Sequence, residues 1–192
     1  MLLDIIKQFN WIDVIIILII LRMSLVALKT GFLVEIFKFL GTVLAIYCSL
    51  HYYTAVSDFI KIRIGLQEVP LKFLDFMLAV ILAVLGYLIF WGIRIGFDRF
   101  IKMETTPNIS KAGGLLLGII RGILSASLIT FLLSISSVGY LQKSATSSFS
   151  GRRIVNLAPN TYTWIWNSTT SHFMGDEKFN EIIPEVQKDL KQ

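Results

Sequence analysis

The stretch GGLLLGIIRGILSASLIT, residues 113–130, decides how this chain folds. It is apolar enough to lie in a lipid bilayer, yet every fourth residue along one row is small. Small residues at this spacing let two helix backbones approach closely, and close packing holds helices together in lipid, where no hydrophobic effect acts between them. The row predicts a tightly packed membrane helix, either within one molecule or between copies. Its members are Gly114, Gly118, Gly122, Ala126, Thr130 and Ser134.

The composition places the chain among integral membrane proteins. Hydrophobic residues make up 55% of its 192 residues and charged residues only 16%, against about 25% in soluble domains. A soluble domain of this length could not bury so much apolar side chain, whereas a bilayer covers it. The net charge is +5, and the basic residues lie between the apolar runs, where they contact lipid headgroups. We therefore expect the lipid bilayer, and not nucleic acid, as the partner of these charges.

Four apolar runs are long enough to cross the hydrocarbon core, which takes about 20 helical residues. They must be helices because lipid cannot hydrogen-bond a free backbone group. The expected fold class is an all-α membrane protein, with four transmembrane helices in a bundle followed by a polar and aromatic C-terminal tail. The bundle domain covers residues 1–138 and the tail covers 139–192. The spans are predicted at residues 11–29, 32–53, 73–96 and 112–138.

The connections between spans carry predictions of their own. Only Thr30 and Gly31 separate the first two spans. These spans should therefore fold back as an antiparallel hairpin, with Gly31 supplying the backbone freedom of the turn. Residues 54–69 mix Ile, Val and Phe with charged residues, which is typical of a short interfacial helix.

The tail changes composition after residue 138. Residues 139–161 are rich in Ser, Thr, Gln, Arg and Gly and are predicted to form a loop. The stretch TYTWIWNSTTSHF, residues 161–173, concentrates aromatic rings, which prefer the membrane–water boundary. The tail is therefore expected to lie outside the membrane and to be partly disordered or interfacial. The rings belong to Tyr162, Trp164, Trp166 and Phe173.

Two other spans carry shorter rows of small residues. Such rows favour close helix packing for the same reason as the row on the fourth span. The second span has Gly41, Ala45 and Ser49, and the third pairs Ala79 with Ala83 and Gly92 with Gly96.

Ionisable residues inside the spans are the second unusual feature, because charges are costly in hydrocarbon. Asp13 lies beside a tryptophan at the start of the first span and is predicted to be interfacial. Arg22 lies deeper and is expected to have a buried polar role, although its stem could also snorkel. Glu35 and Lys38 are three residues apart and can pair on one helix face. Arg121 either snorkels or faces the bundle interior and pairs with a carboxylate such as Glu35.

Residues that would indicate an enzyme or a cofactor site are missing. Cys48 is the only cysteine and is most simply a small packing residue. His51 and His172 lie far apart in sequence and lack the spacing of metal ligands. There is no glycine-rich phosphate loop and no Gly-x-Ser-x-Gly nucleophile motif. We expect no enzymatic activity, no metal and no cofactor.

Three segments resemble the colicin V production protein (CvpA) family. Residues 11–41, WIDVIIILIILRMSLVALKTGFLVEIFKFLG, carry an Asp near the start of the first span and a basic-x-Gly-Phe-x-x-Glu turn. Residues 51–60, HYYTAVSDFI, are similar to the family's exit from the second span. Residues 111–126, KAGGLLLGIIRGILSA, resemble its most characteristic segment, a Gly-x-x-x-Gly-x-x-Arg-Gly run. The resemblance covers about residues 9–138, and the tail beyond it is poorly matched.

The resemblance implies a bacterial inner-membrane protein with four spans. The family is linked to colicin V production and, more broadly, to toxin export and envelope homeostasis. Some members continue into a periplasmic serine protease domain, which implies a periplasmic C-terminus and, with four spans, a periplasmic N-terminus. The density of basic residues in the short connectors on the opposite side agrees with this orientation. The implied partners are further copies of the chain and proteins of the envelope or of secretion.

Three functional hypotheses follow. The first is a scaffold or small oligomeric pore that supports toxin production or export and envelope homeostasis. The second is a transporter or channel subunit whose intramembrane charges line a path. The third is a membrane-anchored interaction module that acts through its tail. The residues expected to matter for helix packing are Gly31, Gly41, Gly114, Gly118, Gly122 and Ala126, and those expected to matter as intramembrane polar groups are Asp13, Arg22, Glu35 and Arg121.

Overall fold

Four long helices dominate the computed structural model, which describes residues 9–65, 69–100, 107–175 and 177–190. All four are long and apolar enough to cross a membrane. No strand occurs in these described ranges, and the predicted all-α membrane fold with four spanning helices is confirmed. The helices are α1 (Trp11–Thr30), α2 (Phe32–Ile64), α3 (Leu71–Phe100) and α4 (Pro107–Ile135).

Both ends of α1 are set by local chemistry. Asn10 caps its first turn by accepting from the backbone N–H of Ile12 at 2.8 Å, and Asp13 accepts from the N–H of Asn10 at 2.8 Å. These reciprocal bonds form a capping box. At the other end Gly31 adopts a φ of +79°, a region open to glycine and strained for other residues. This conformation lets α2 begin at the very next residue.

The second helix is longer than predicted. It runs unbroken for 33 residues, which corresponds to about 50 Å and exceeds the hydrocarbon core of about 30 Å. The separate interfacial helix predicted for residues 54–69 is therefore wrong up to Ile64, because that segment continues α2. Gly65, in a left-handed conformation, ends the helix, and residues 66–68 lie outside the described ranges.

The fourth helix is the centre of the bundle. It packs against both α1 and α2, while α3 packs mainly on α2. Although α1 and α2 are joined by a single residue, they contact each other little. The two helices do run antiparallel about Gly31, as predicted, since the start of α1 and the far half of α2 both contact the C-terminal segment. At the shared turn, Ser110 of α4 accepts from the backbone N–H of Phe32 at 3.1 Å, which ties the start of α4 to Gly31. We call this the turn end of the bundle.

The glycine row of α4 faces α1 within the same molecule. A Cβ on Gly114 would lie 3.0 Å from the Ala27 carbonyl oxygen, and one on Gly122 would lie 3.1 Å from Cα of Ile20. A Cβ on Gly118 would collide with Cβ of Ala27. Further along the row Ala126 is fully buried. Of the two alternatives for this row, the structure shows close packing between helices of one chain.

The closest approach between α2 and α3 occurs at Gly86, which is not among the predicted packing residues. A Cβ on Gly86 would lie 2.9 Å from Cα of Ala45, so this glycine permits the closest backbone approach of the pair. Gly41 lies against Tyr87 and Phe90, as expected for a packing residue. Gly92 and Gly96, predicted as a packing pair, have open space beside them and that prediction is wrong.

The C-terminal segment is helical and packed, and the loop predicted for residues 139–161 is wrong. Short helices follow one another and cover one end of the bundle, where α1 begins and α4 ends; we call it the covered end. The reason is that small and apolar side chains of the segment enter the core of α2 and α4. These helices are α5 (Gly139–Ser147), α6 (Gly151–Ile154), α7 (Leu157–Ile165), a π-helical turn (Trp166–Thr170), α8 (Ser171–Phe173) and α9 (Ile182–Asp189).

The aromatic residues of the segment divide into two groups. Tyr162 and Trp166 are buried against the bundle, so these two rings pack on the protein. Tyr162 joins a core cluster that includes Leu50 of α2 and Phe131 of α4. Trp164 and Phe173 remain exposed, as rings at a membrane–water boundary would be.

The steric clash that a side chain at Gly118 would cause predicts a pair of substitutions in which the second compensates for the first. Gly118→Ala should lower the free energy of unfolding in detergent by about 1–3 kcal/mol, because the new methyl overpacks the seam. Adding Ala27→Gly should restore most of that loss, since it removes the methyl that the new side chain would meet. Gly96→Ala, in open space, is the matched control and should be neutral. Equal losses at positions 118 and 96 would contradict this packing.

Candidate functional site

A buried ionic cluster joins three helices near the turn end. Glu35 lies in the first turn of α2 and is fully buried. Its Oε2 lies 3.1 Å from Nη2 of Arg121 on α4, and its Oε1 lies 2.6 Å from Nζ of Lys38. Thr30, the last residue of α1, donates its hydroxyl to the same Oε1 at 2.7 Å. The carboxylate therefore connects α1, α2 and α4.

This cluster contains more positive than negative charges. One carboxylate faces two cations, so the group carries a net charge of +1 by formal count of Glu35, Lys38 and Arg121. Burying charges is costly unless they are paired and hydrogen-bonded. Oε1 of Glu35 has both compensations, whereas Oε2 forms an ion pair with Arg121 without a hydrogen bond among the described residues. Glu35 also benefits from the positive end of the α2 dipole. Arg121 is 4% exposed, so it faces the interior instead of snorkelling.

Arg22 does not take part in this cluster. It is exposed on α1, and the buried polar role expected for it is wrong. The reason is geometric, since α1 packs on α4 through the row of Ile20, Met23 and Ala27. Arg22 lies off that row and points outward.

Asp13 forms a second buried site, at the covered end. Its side chain is fully buried within the protein, in the first turn of α1, for which the sequence predicts an interfacial position. Its Oδ1 accepts from the Ser148 hydroxyl at 2.8 Å and from the Ser150 N–H at 2.6 Å. Its Oδ2 accepts from Phe149 N–H at 3.3 Å and from Asn10. One carboxylate thereby caps α1 and holds the α5–α6 connection.

A third polar site contains a histidine that sequence reasoning set aside. His51 of α2 is buried, with Nδ1 3.0 Å from the Tyr162 hydroxyl and Nε2 2.8 Å from Oε2 of Glu177. Tyr52 also donates to Glu177, at 2.9 Å. Trp166 stacks on the imidazole, with ring centroids 5.1 Å apart. The signal available in the sequence was the run His-Tyr-Tyr at residues 51–53, ending an apolar span.

The Glu177 carboxylate indicates which nitrogen of His51 carries a proton. A carboxylate can only accept, so Nε2–H of His51 donates to Glu177. In the neutral ring Nδ1 then accepts from the Tyr162 hydroxyl, whose oxygen accepts from the backbone N–H of Asn180 at 3.1 Å. Burial raises the pKa of Tyr162 to about 12, so its hydroxyl keeps the proton that this arrangement needs.

The described residues contain no group of His, Cys, Asp and Glu side chains that could hold a metal ion. The polar sites are instead contacts between segments of the protein. The first joins α1, α2 and α4 at the turn end, and the other two fasten the C-terminal segment at the covered end.

This fold and these sites define a multi-pass membrane protein with a helical segment folded over one end of its bundle. The family model described as Colicin V production protein matches residues 12–177. The chain therefore belongs to the colicin V production protein family, as its sequence segments indicate. The match extends well past residue 138, so the expectation that the tail is poorly matched is wrong. Neither the curated proteins nor the solved structures include a significant match to this chain.

The ionic cluster predicts that substitutions of Glu35 and Arg121 destabilise the protein to different extents. Glu35→Gln leaves Arg121 and Lys38 without a counter-charge and should lower the free energy of unfolding by about 3 kcal/mol or more. Arg121→Gln leaves Glu35 paired with Lys38 and should cost less. The measurement is reversible unfolding in mixed micelles, with Arg22→Gln as the exposed control. A larger loss for Arg121→Gln than for Glu35→Gln would contradict the charge arrangement.

The Asp13 site predicts loosening of the C-terminal segment on substitution. Asp13→Asn replaces one acceptor oxygen by an N–H₂ group that faces donors, which costs about 1–3 kcal/mol for groups left unpaired. Trypsin should then cleave at Lys143 or Arg153 about tenfold faster in nanodiscs, as a loss near 1.4 kcal/mol implies. Asp58→Asn, at an exposed position of α2, is the control. Unchanged cleavage would mean that Asp13 does not hold this segment.

Proposed function

We propose that this protein is a scaffold of the bacterial inner membrane that supports the production or export of colicin V or another toxin, and envelope homeostasis. Membership of the colicin V production protein family supplies the link to toxin production. The proposed role is non-enzymatic. It consists of holding partner proteins of the envelope or of secretion at the covered end of the bundle.

The observation that carries the scaffold proposal is the pairing of the intramembrane charges. Glu35 is bonded to Arg121, Lys38 and Thr30 and is fully buried. Two cavities, of about 470 and 560 Å³, lie at the covered end, and neither is lined by Glu35 or Arg121. Charges arranged in this way lock helices together and do not leave a polar path through one chain.

A small oligomeric pore is the second candidate. It is favoured by the excess positive charge of the ionic cluster and by the exposed apolar faces of α1 and α3, of which only 22% and 11% of the span residues are buried. Those faces contact either lipid or further copies of the chain. A pore would require several copies, and ion flux through liposomes that carry the purified protein distinguishes it from a scaffold.

The covered end offers the scaffold a surface for partners. Trp164 is 67% exposed and Phe173 is 83% exposed, although neighbouring rings of the same segment are buried. Large aromatic side chains are frequent anchors of protein interfaces. An interaction module that acts through this segment is therefore part of the scaffold proposal.

The orientation proposed is a periplasmic N- and C-terminus. In the short connectors, basic residues are denser near the turn end, which positive-inside statistics assign to the cytoplasm. The covered end then faces the periplasm. The residues at the turn end that support this placement are Lys29, Lys38, Arg94 and Lys111.

A complementation experiment tests the scaffold. The variant Trp164→Ala/Phe173→Ala should restore toxin release at least about tenfold less well than the parent in a strain lacking its own family member, because an aromatic anchor is worth about 2 kcal/mol or more. Protein level and thermal stability should stay unchanged, since both rings are exposed. Phe59→Ala, an exposed ring on α2, is the matched control and should complement fully.

Two results would contradict the scaffold. One is full complementation by the double variant. The other is ion flux in liposomes from the parent protein that Arg121→Gln abolishes, which would favour the pore.

A further inference from the structure

A cavity of about 470 Å³ lies at the covered end, between the ends of α2, α3 and α4 and the helices α5 and α9. Its volume falls in the range of small-molecule sites, about 300–1,000 Å³. One part of its wall is mainly apolar, and the rest consists of charged residues, Ser and Thr hydroxyls, Gly139 and the Gln142 amide. The apolar part is formed by Tyr53, Ile135, Ile182, Val186 and Leu190.

The cavity lies at the level where the apolar spans stop. Lys72 and Asp75 occupy the first turns of α3, whose candidate span begins at Leu71, and Ile135 is the last residue of the α4 span. A site at this level is at the boundary between hydrocarbon and water, where lipid headgroups lie. Phe73 and Met77 are exposed in the same first turns of α3, and they supply apolar surface for acyl chains.

Charges of both signs line the cavity. Lys72 and Lys143 are exposed, and neither forms an ion pair with a residue of the described ranges. Asp75 and Asp189 provide carboxylates, and Asp75 also accepts a hydrogen bond from Ser57. A ligand that satisfies this site must carry a negative group for the ammonium ions and a positive group for the carboxylates.

The hydroxyls of the wall favour a cation with N–H groups. Ser134 donates its proton to the Phe131 carbonyl at 2.6 Å, and Thr146 donates to the Gln142 carbonyl at 3.0 Å. Because each hydroxyl already donates its only proton, it can only accept further hydrogen bonds. A primary ammonium ion supplies three such donors, whereas a quaternary ammonium ion supplies none.

We propose that this cavity binds a phosphoethanolamine group, with phosphate at Lys72 and Lys143 and ammonium at Asp75, Asp189 and the acceptor hydroxyls. The group is available as the headgroup of phosphatidylethanolamine or as a free small molecule. A glycerol headgroup lacks the ammonium ion, and a choline headgroup lacks its N–H donors. The site is separate from the ionic cluster and independent of the scaffold role.

Native mass spectrometry of the full chain released from nanodiscs tests this site. The nanodiscs contain equal amounts of phosphatidylethanolamine, phosphatidylglycerol and phosphatidylcholine. The parent protein should retain phosphatidylethanolamine in preference to the other two lipids. Lys72→Gln/Lys143→Gln should retain about tenfold less of it, because the phosphate loses both of its ammonium partners. Lys188→Gln, which does not line the cavity, should behave as the parent.

A second arm distinguishes the two sources of the ligand. Free phosphoethanolamine at millimolar concentration either displaces the retained lipid, which assigns the site to the small molecule, or leaves it bound, which assigns the site to the lipid headgroup. Circular dichroism establishes that the variants are folded. Equal retention of the three lipids by the parent, or undiminished retention by the folded double-lysine variant, would overturn the proposal.

Discussion

The close approach of α4 to α1 is the contact on which the rest of the structure depends. Lipid tails are as apolar as leucine, so helices in a membrane associate through packing and polar contacts. Gly114, Gly118 and Gly122 bring the α4 backbone to within van der Waals contact of α1. With α4 held there, its other side meets α2, and Arg121 reaches Glu35. The order of helices in the bundle thus follows from one row of small residues.

Two buried carboxylates determine the register of the helices and the attachment of the C-terminal segment, which packing alone does not determine. Glu35 joins three helices at the turn end through Thr30, Lys38 and Arg121, and Asp13 joins α1 to the C-terminal segment at the covered end. Two helices that pack through small residues can shift by one turn relative to each other at little cost. A buried charge opposes such a shift, because a register that separates it from its partner leaves it unpaired. Packing supplies proximity, and the carboxylates supply register and attachment.

Local features of this structure could be predicted, whereas most long-range contacts could not. The Glu35–Arg121 pair is a long-range contact that the sequence offered as one of two alternatives for Arg121. The four spans, the close packing of the α4 row and the Glu35–Lys38 pair follow from periodicity and spacing along one helix. Periodicity identifies which face of a helix packs but not which neighbour it meets, so the separation of α1 from α2 was missed. The partner of Asp13 is Ser148, 135 residues away. The tail helices were missed because tertiary contacts with His51 and Phe131 stabilise them, and the tail is less polar than predicted, since Val155, Ala158 and Ile183 enter the core.

Disulfide formation between Ile20→Cys and Gly122→Cys, in a Cys48→Ser background in native membranes, tests the central claim most directly. A Cβ on Gly122 would lie 3.6 Å from Cβ of Ile20, within the separation of about 3.5–4.5 Å that a disulfide requires. The α1–α4 seam within one chain predicts rapid oxidation to a cross-linked monomer, and no dimer when the two cysteines are placed on separate co-expressed chains. A cross-linked dimer from the separate chains, or no cross-link in the double variant, would contradict it.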